Sequence, residues 1–316
     1  MAWISALLIA FSSNVQAVDK PKEIRLDFAY YSPPSLVLKH FGWVEEEFKA
    51  DGIPVKWVLS AGSNRALEYL NSGSVDFAST AGLASVLSRA NGNPIKGIYV
   101  YSRPEWVALV VPKNSPIKSV KDLKGKKVAA TKGTDAYLFL LRSLHQEGLS
   151  KADIEHVSLQ HADGRAALEQ GRVDAWSGLD PLMAGSEIDN GSRLIYRNVN
   201  FNTYGFLNTT DAFALNHPEY VKKVIKAYEK ARNWIIANPD AAAKLLSEEA
   251  KLSLPVAKLQ LSRNDFSTSI PGVEHIKALK LAAPILADEG LVKKGTDIDQ
   301  AIDALIDPSF AKEVIR

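Results

Sequence analysis

A ten-residue frame occurs twice in this chain of 316 residues, and it constrains the fold more than any other feature. Residues 70–79 run from Leu70 through Gly73, Val75 and Asp76 to Ser79; residues 168–177 run from Leu168 through Gly171, Val173 and Asp174 to Ser177. The shared pattern is L-x-x-G-x-V-D-x-x-S. In each copy a helical stretch stops at a glycine, the usual left-handed terminator, and a short apolar strand follows. The repeat points to two similar α/β units, and such pairs commonly hold a ligand between them. Helix–glycine–strand is also a common local unit, so the frame has to be weighed with the rest of the chain.

The flanking sequence extends the pattern. Residues 23–30 alternate apolar and polar and read as a strand. Tyr31, Ser32, Pro33 and Pro34 read as a loop, and residues 35–50 have helical spacing closed by Asp51-Gly52. Strands at 55–59, 75–78 and 95–101 alternate with helices at 63–71 and 82–90. A second run of strands at 106–111, 128–130, 157–159, 173–176 and 194–196 carries helices at 136–147 and 163–170, the latter with Asp163 as its cap. This is the βαβ alternation of a mostly parallel sheet covered by helices. Residues 205–208 read as a second crossing between the units. Helical spacing then fits 217–237, 239–250, 255–264 and 272–289. No low-complexity linker separates the halves, which suggests a hinge.

Composition narrows the function. The 38 basic and 36 acidic residues give a net charge of +2, too little field for nucleic acid or an anionic membrane. The cysteine count of zero removes disulfides, thiol catalysis, thiolate metal sites and a lipid-bearing cysteine. Residues 1–17 hold a nine-residue apolar run, Trp3 to Phe11, and small residues ahead of a break after Ala17. That is an export-signal pattern, too short to span a bilayer. It lacks the usual preceding Lys or Arg. The six histidines show no metal spacing, and His156 and His161 read as surface or capping residues. Ser115 and Lys118 fit S-x-x-K without its companion motifs.

Residues 115–134, with Ser115-Pro-Ile, Asp122-Leu-Lys-Gly125, Val128-Ala-Ala and Lys132-Gly133-Thr134, resemble a run in the periplasmic binding proteins for aliphatic sulfonates. Taurine- and nitrate-binding proteins are relatives of that family. Gly164–Glu169, Gly171–Trp176 and Asp180-Pro181 are similar to the same family's second-domain run, and residues 53–81 to its first. The resemblance covers most of residues 24–240. It implies a two-lobed type II periplasmic binding fold, each lobe a mixed, mostly parallel sheet flanked by helices. It also implies a free periplasmic protein that delivers ligand to the permease of an ABC importer, with no cofactor. The expected division is 18–105 and 207–316 in one lobe and 106–206 in the other. The chain departs from the family at Tyr31-Ser32, where a Gln-Lys pair is usual, and at Leu179, where a Trp usually precedes Asp-Pro.

Ligands of α/β units bind beyond the carboxyl ends of strands. Those loops nominate Tyr31, Ser32, Ser63, Asn64, Thr80, Ala81, Gly82, Ser102, Thr134, Asp135, Trp176 and Asp180. Tyr30, Tyr101 and Trp106 are candidate pocket aromatics, and the positions just past the repeated frame, Thr80–Gly82 and Trp176–Gly178, should end strands at one cleft. Hydroxyls and amides ahead of a helix suit an oxyanion, because the helix N-terminus adds free N–H groups and partial positive charge. Simple helix capping by Ser63, Thr80 and Thr134 stands as an equal reading. Asp180 either meets a ligand amine or holds its loop. The expectation is a monomeric, non-enzymatic binder of a small organic anion, foremost an aliphatic sulfonate. Taurine, nitrate or a neutral heterocyclic vitamin precursor are alternatives, as is a pyrimidine-precursor enzyme on the same fold.

Overall fold

The computed structural model describes residues 20–315, and the export-signal reading of residues 1–17 lies outside them. Both copies of the repeated frame build the same corner. Gly73 and Gly171 end their helices with φ of 69° and 67°, values that favour glycine. The strand that follows is β3 (Phe77–Ala81) in one copy and β8 (Ala175–Leu179) in the other. Asp76 exchanges two bonds with Arg25: its N–H donates to the Arg25 carbonyl, and its Oδ2 accepts the Arg25 N–H, each at 2.8 Å. Asp174 does the same with Lys127, again at 2.8 Å in both directions. Each aspartate thereby fixes the register of the parallel strand beside it.

Those neighbours are β1 (Ile24–Phe28) and β6 (Lys127–Ala130). The remaining strands are β2 (Val55–Leu59), β4 (Ile95–Pro104), β5 (Val107–Val111), β7 (Glu155–Ser158), β9 (Arg193–Arg197), β10 (Gly205–Thr210) and β11 (Asn264–Asp265). They form a sheet of order β2-β1-β3-β10-β4-β11 and a second of order β7-β6-β8-β5-β9. The plan is the same in both: three parallel strands, then an antiparallel strand placed by a crossing between sheets. Residues 205–208, read from sequence as only a crossing, are thus a central strand, antiparallel to both β3 and β4.

Several helix readings change; among them, 272–289 divides into Val273–Ala282 and Pro284–Asp288. The helix expected over 35–50 starts at Pro33, because prolines at its first positions give up no needed N–H. It is divided at Gly42, which adopts φ 65°, into Pro33–Phe41 and Trp43–Lys49. A helix over Leu182–Asn190 was not anticipated. Asp163 lies in the first turn of His161–Glu169, whose cap position is Gln160.

The two crossings, between β4 and β5 and between β9 and β10, meet at one buried carboxylate. Asp135, at the start of the helix Asp135–Gln146, accepts from Trp106 Nε1–H at 3.0 Å, from the Thr203 N–H at 3.1 Å and from Thr203 Oγ1–H at 2.8 Å. Thr203 in turn caps the helix Gly82–Ala90, its Oγ1 accepting from the Leu83 N–H and its carbonyl from the Gly82 N–H. A Cβ at residue 82 would overlap that carbonyl, so only glycine permits this approach.

Asp135→Ala would leave three buried donors unpaired, each at about 1–3 kcal/mol. Denaturant unfolding should show a loss of at least ~3 kcal/mol, with Asp135→Asn, which keeps one acceptor, losing less. A loss below ~1 kcal/mol would show that the crossings do not depend on this group.

Candidate functional site

The cleft lies between the sheets, and its walls come from the carboxyl ends of strands on both sides. Tyr30, Tyr31, Leu59, Ser60 and Ala61 follow β1 and β2; Gln160, His161 and Ala162 follow β7; Leu179 to Leu182 close β8. The cavity measures ≈ 200 Å³. Tyr31 and Leu179, where the chain departs from the sulfonate-binding run, both line it.

The N-termini of Ser63–Asn71 and His161–Glu169 meet at this cleft from opposite sheets, and that of Asp135–Gln146 stands beside them. A Cβ on Gly62, which precedes the helix Ser63–Asn71, would stand 3.0 Å from Nε2 of His161, the first residue of His161–Glu169. A Cβ on Gly133, just ahead of Asp135–Gln146, would stand 3.3 Å from the Asn64 Cβ. The lobes therefore touch across the site. First-turn N–H groups have no intrahelical partner, and the three dipoles place partial positive charge at the junction. No Lys or Arg lines the cleft among the described residues.

Unspent hydrogen-bonding groups mark the same place. His161 is 2% exposed, and neither ring nitrogen meets a partner. Burial pushes its pKa down to about 3, so it stands as a neutral imidazole with one donor and one acceptor to offer. Gln160 Oε1 and Asn64 Oδ1 are likewise buried and unpartnered. Such groups are costly unless a ligand satisfies them. Sequence reading placed His161 among surface or capping residues. The strand-end rule that nominates the other positions also reaches His161, three residues past the end of β7; reading it as a surface or capping residue sets it aside.

Several nominated residues turn out to be engaged elsewhere. Thr134 Oγ1–H donates to the Thr131 carbonyl at 2.7 Å and makes no cap bond. Thr80 is buried with its hydroxyl held between Ser85 and Asn208. The N–H groups of Ala81 and Gly82 are taken by Ser63 Oγ and by Thr203, so the end of β3 faces the crossing and not the cleft. Ser63 is thus neither a cap nor idle; its oxygen accepts from Ala81 at 2.9 Å and its proton stays unspent. Asp135 serves the crossings, as described above.

Trp176 turns away from the cleft. Strand alternation puts it on the face of β8 covered by the helix His161–Glu169, packed with Val110, Ala167, Leu168 and Met183. Its Nε1 would lie 2.7 Å from a Cβ on Gly164, so glycine there makes room for the indole. Ser32, Tyr101 and Ser102 are buried with unpartnered hydroxyls but do not line the cavity. Trp106 stands behind Tyr31, edge-on at 5.8 Å.

Two carboxylates lie at or behind the wall. Asp180 lines the cleft yet is held by Arg263, which reaches it at 3.1 Å and also binds Glu187 at 2.5 Å. Burial outweighs that cation and holds the Asp180 carboxyl up at about 6. Asp180 is therefore a loop and interlobe anchor. Asp27 lies behind the floor, fully buried. It accepts from Ser60 Oγ–H at 2.6 Å and from the Ser79 N–H at 2.8 Å, and burial pushes it up to about 7. Among the described residues, no cluster of three or more His, Asp or Glu could hold a metal ion, and no helix is long and apolar enough to cross a membrane.

Comparison with known proteins finds relatives of the same fold. Residues 36–242 match the family model described as NMT1/THI5 like. A protein of Escherichia coli (strain K12), named for binding aliphatic sulfonates, is 30% identical over 302 residues, covering 95% of this chain and 94% of its own. A similarly named protein of Bacillus subtilis (strain 168) is 30% identical over 286 residues, covering 89% of this chain and 86% of its own. The solved structure of the alkanesulfonate-binding protein SsuA from Xanthomonas axonopodis pv. citri, bound to MOPS, superposes with a TM-score of 0.82 at 26% identity, covering 90% of this chain and 98% of that one.

Arg263→Ala should cost ~3–5 kcal/mol in denaturant unfolding, because it leaves the buried Asp180 with the Ala184 N–H at 2.9 Å but no counter-charge. The double variant Arg263→Leu with Asp180→Leu should recover more than half of that loss; no recovery would mean that Arg263 acts through packing alone.

Proposed function

The chain belongs to the NMT1/THI5-like family, and from that premise we propose that it is the substrate-binding component of an ABC importer, taking an aliphatic sulfonate into the interlobe cleft. The observation that carries this reading is the meeting of two helix N-termini, with a third beside them, around the unpartnered side chains of Asn64, Gln160 and His161. A sulfonate carries one charge spread over three acceptor oxygens. Neutral donors and helix ends can satisfy it without a buried cation, whose desolvation would be costly. The walls from Tyr30, Leu59, Leu179 and Leu182 suit an alkyl tail, which nitrate lacks. Taurine would need a carboxylate free to take its ammonium, and Asp180 is occupied by Arg263.

Ligand contacts with both walls would favour the closed arrangement over an open one, by as much as the ligand binds it more tightly. We assign residues 18–105 and 207–316 to one lobe and 106–206 to the other, in keeping with sheet membership. On this reading the protein is a periplasmic monomer, exported by residues 1–17, that hands ligand to a membrane permease and catalyses nothing. His161, the histidine in the cleft, has no hydrogen-bonded group to orient it as a base, which supports a binding role.

Thermal melting of the chain without residues 1–17 tests the ligand class. A sulfonate at a hundred times its Kd should stabilise by about 2.7 kcal/mol. No shift with any alkanesulfonate would refute the assignment. His161→Ala and Gln160→Ala should each weaken binding by roughly 10- to 100-fold, the worth of a hydrogen bond to a charged group. Trp176→Phe should leave affinity unchanged.

A further inference from the structure

Behind the cleft, Ser60 connects the ligand space to a carboxylate that has no counter-charge. We propose that Asp27, acting through Ser60, makes the protein take up one proton together with its anionic ligand. The inference rests on the sulfonate reading above and names a positioning residue for it.

The geometry leaves Ser60 two states. A hydroxyl has one proton. With Asp27 ionised, Ser60 Oγ–H donates to Asp27 Oδ2 at 2.6 Å, so the cleft receives no donor from Ser60. With Asp27 protonated, the carboxyl O–H donates to Ser60 Oγ, and the serine proton is free to turn to a ligand oxygen. The second carboxylate oxygen keeps the Ser79 N–H, 2.8 Å away, in both states. Tyr31 gives the cleft no donor, since its proton goes to the Ser79 carbonyl at 2.9 Å; its oxygen, 3.3 Å from Ser60 Oγ, can hold the serine proton until a ligand oxygen takes it. The proton comes from water and ends on Asp27; no covalent bond between heavy atoms changes.

Electrostatics acts in the same direction. The elements packed around Asp27 turn to it the hydroxyls of Tyr31, Ser60, Ser79 and Tyr228, with Tyr101 further off, and, among the described residues, no cation. Ionised Asp27 would put an uncompensated negative charge just behind an anion site. Burial already holds its pKa at about 7, and a bound sulfonate raises it further. Below that value the free protein carries the proton and affinity is level. Above it, binding must recruit the proton, and affinity falls by up to about tenfold per pH unit. Two other cleft groups must be separated from Asp27. His161 stays neutral here because its pKa is near 3, and Asp180, near 6, is tied to Arg263.

The test is calorimetric titration with 1-butanesulfonate, which does not itself titrate in this range, in Tris and bis-Tris buffers near pH 7.5, whose ionisation enthalpies differ. Sulfonate buffers are excluded because they could occupy the cleft. The difference in apparent enthalpy between buffers counts protons taken up by the wild-type chain and needs no variant. The expected result is an uptake of half a proton or more, with Kd weakening about tenfold from pH 6 to pH 8. Asp27→Asn can still donate to Ser60 and accept from Ser79. It should bind with the low-pH affinity of the wild type at every pH and take up no proton. A wild-type proton count of zero with a level Kd overturns the inference and leaves the sulfonate reading standing. Uptake that persists in Asp27→Asn assigns the proton to Asp180 or His161 and also overturns it. No binding at any pH overturns both readings.

Discussion

A single carboxylate, Asp135, receives the two crossings that join the sheets. It binds the indole of Trp106 on the outward crossing and the backbone and hydroxyl of Thr203 on the return. Thr203 then fills the N-terminus of Gly82–Ala90, so one chain of hydrogen bonds runs from a helix of the second sheet to a helix of the first. Burial holds the Asp135 carboxyl above its ordinary range, and the three donors work against that rise. Trp106 in turn stands edge-on behind Tyr31 of the cleft wall, so the junction of the crossings lies next to the cleft.

The cleft itself is built almost without formal positive charge. Helix ends converge from both sides, and the groups that wait there are amide and imidazole rather than lysine or arginine. Arg263 is committed to Asp180 and Glu187, where it links helix Leu254–Ser262 and its partner Leu182–Asn190 across the lobes. The arrangement favours a diffuse single charge with an apolar tail, and it makes any ionised group behind the wall, Asp27 above all, matter to affinity.

Much of the fold was legible in the chain because it depends on local rules. Gly73 and Gly171 needed a left-handed turn, and Asp76 and Asp174 followed them at the same spacing. The structure gives those aspartates the same backbone partner in each sheet, a structural and not a catalytic role. Strand ends were legible to within a few residues, which was enough to nominate Tyr31 and Asp180 on the cleft wall. His161 also follows a strand end, but a lone histidine at a helix start reads as a surface or capping residue until its burial is known. Nor does a strand end tell which way a side chain there points. Trp176 and Ser177 are adjacent, yet one packs beneath His161–Glu169 and the other donates to the Ala136 carbonyl.

The sequence by itself determined two α/β units, their shared corner and a family run over most of the chain, since periodicity, glycine turns and strand starts are set by near neighbours. Only the tertiary structure decided which hydroxyls remain available. Thr134, Thr80 and Asp135 were all plausible ligand groups until partners distant in the chain, or turned inward, took their protons or lone pairs. A hydroxyl has one proton to give, and where it goes depends on what the fold brings within 3 Å. The same accounting leaves His161 and Gln160 unspent at the cleft, and the repeated frame marks the scaffold that brings them there.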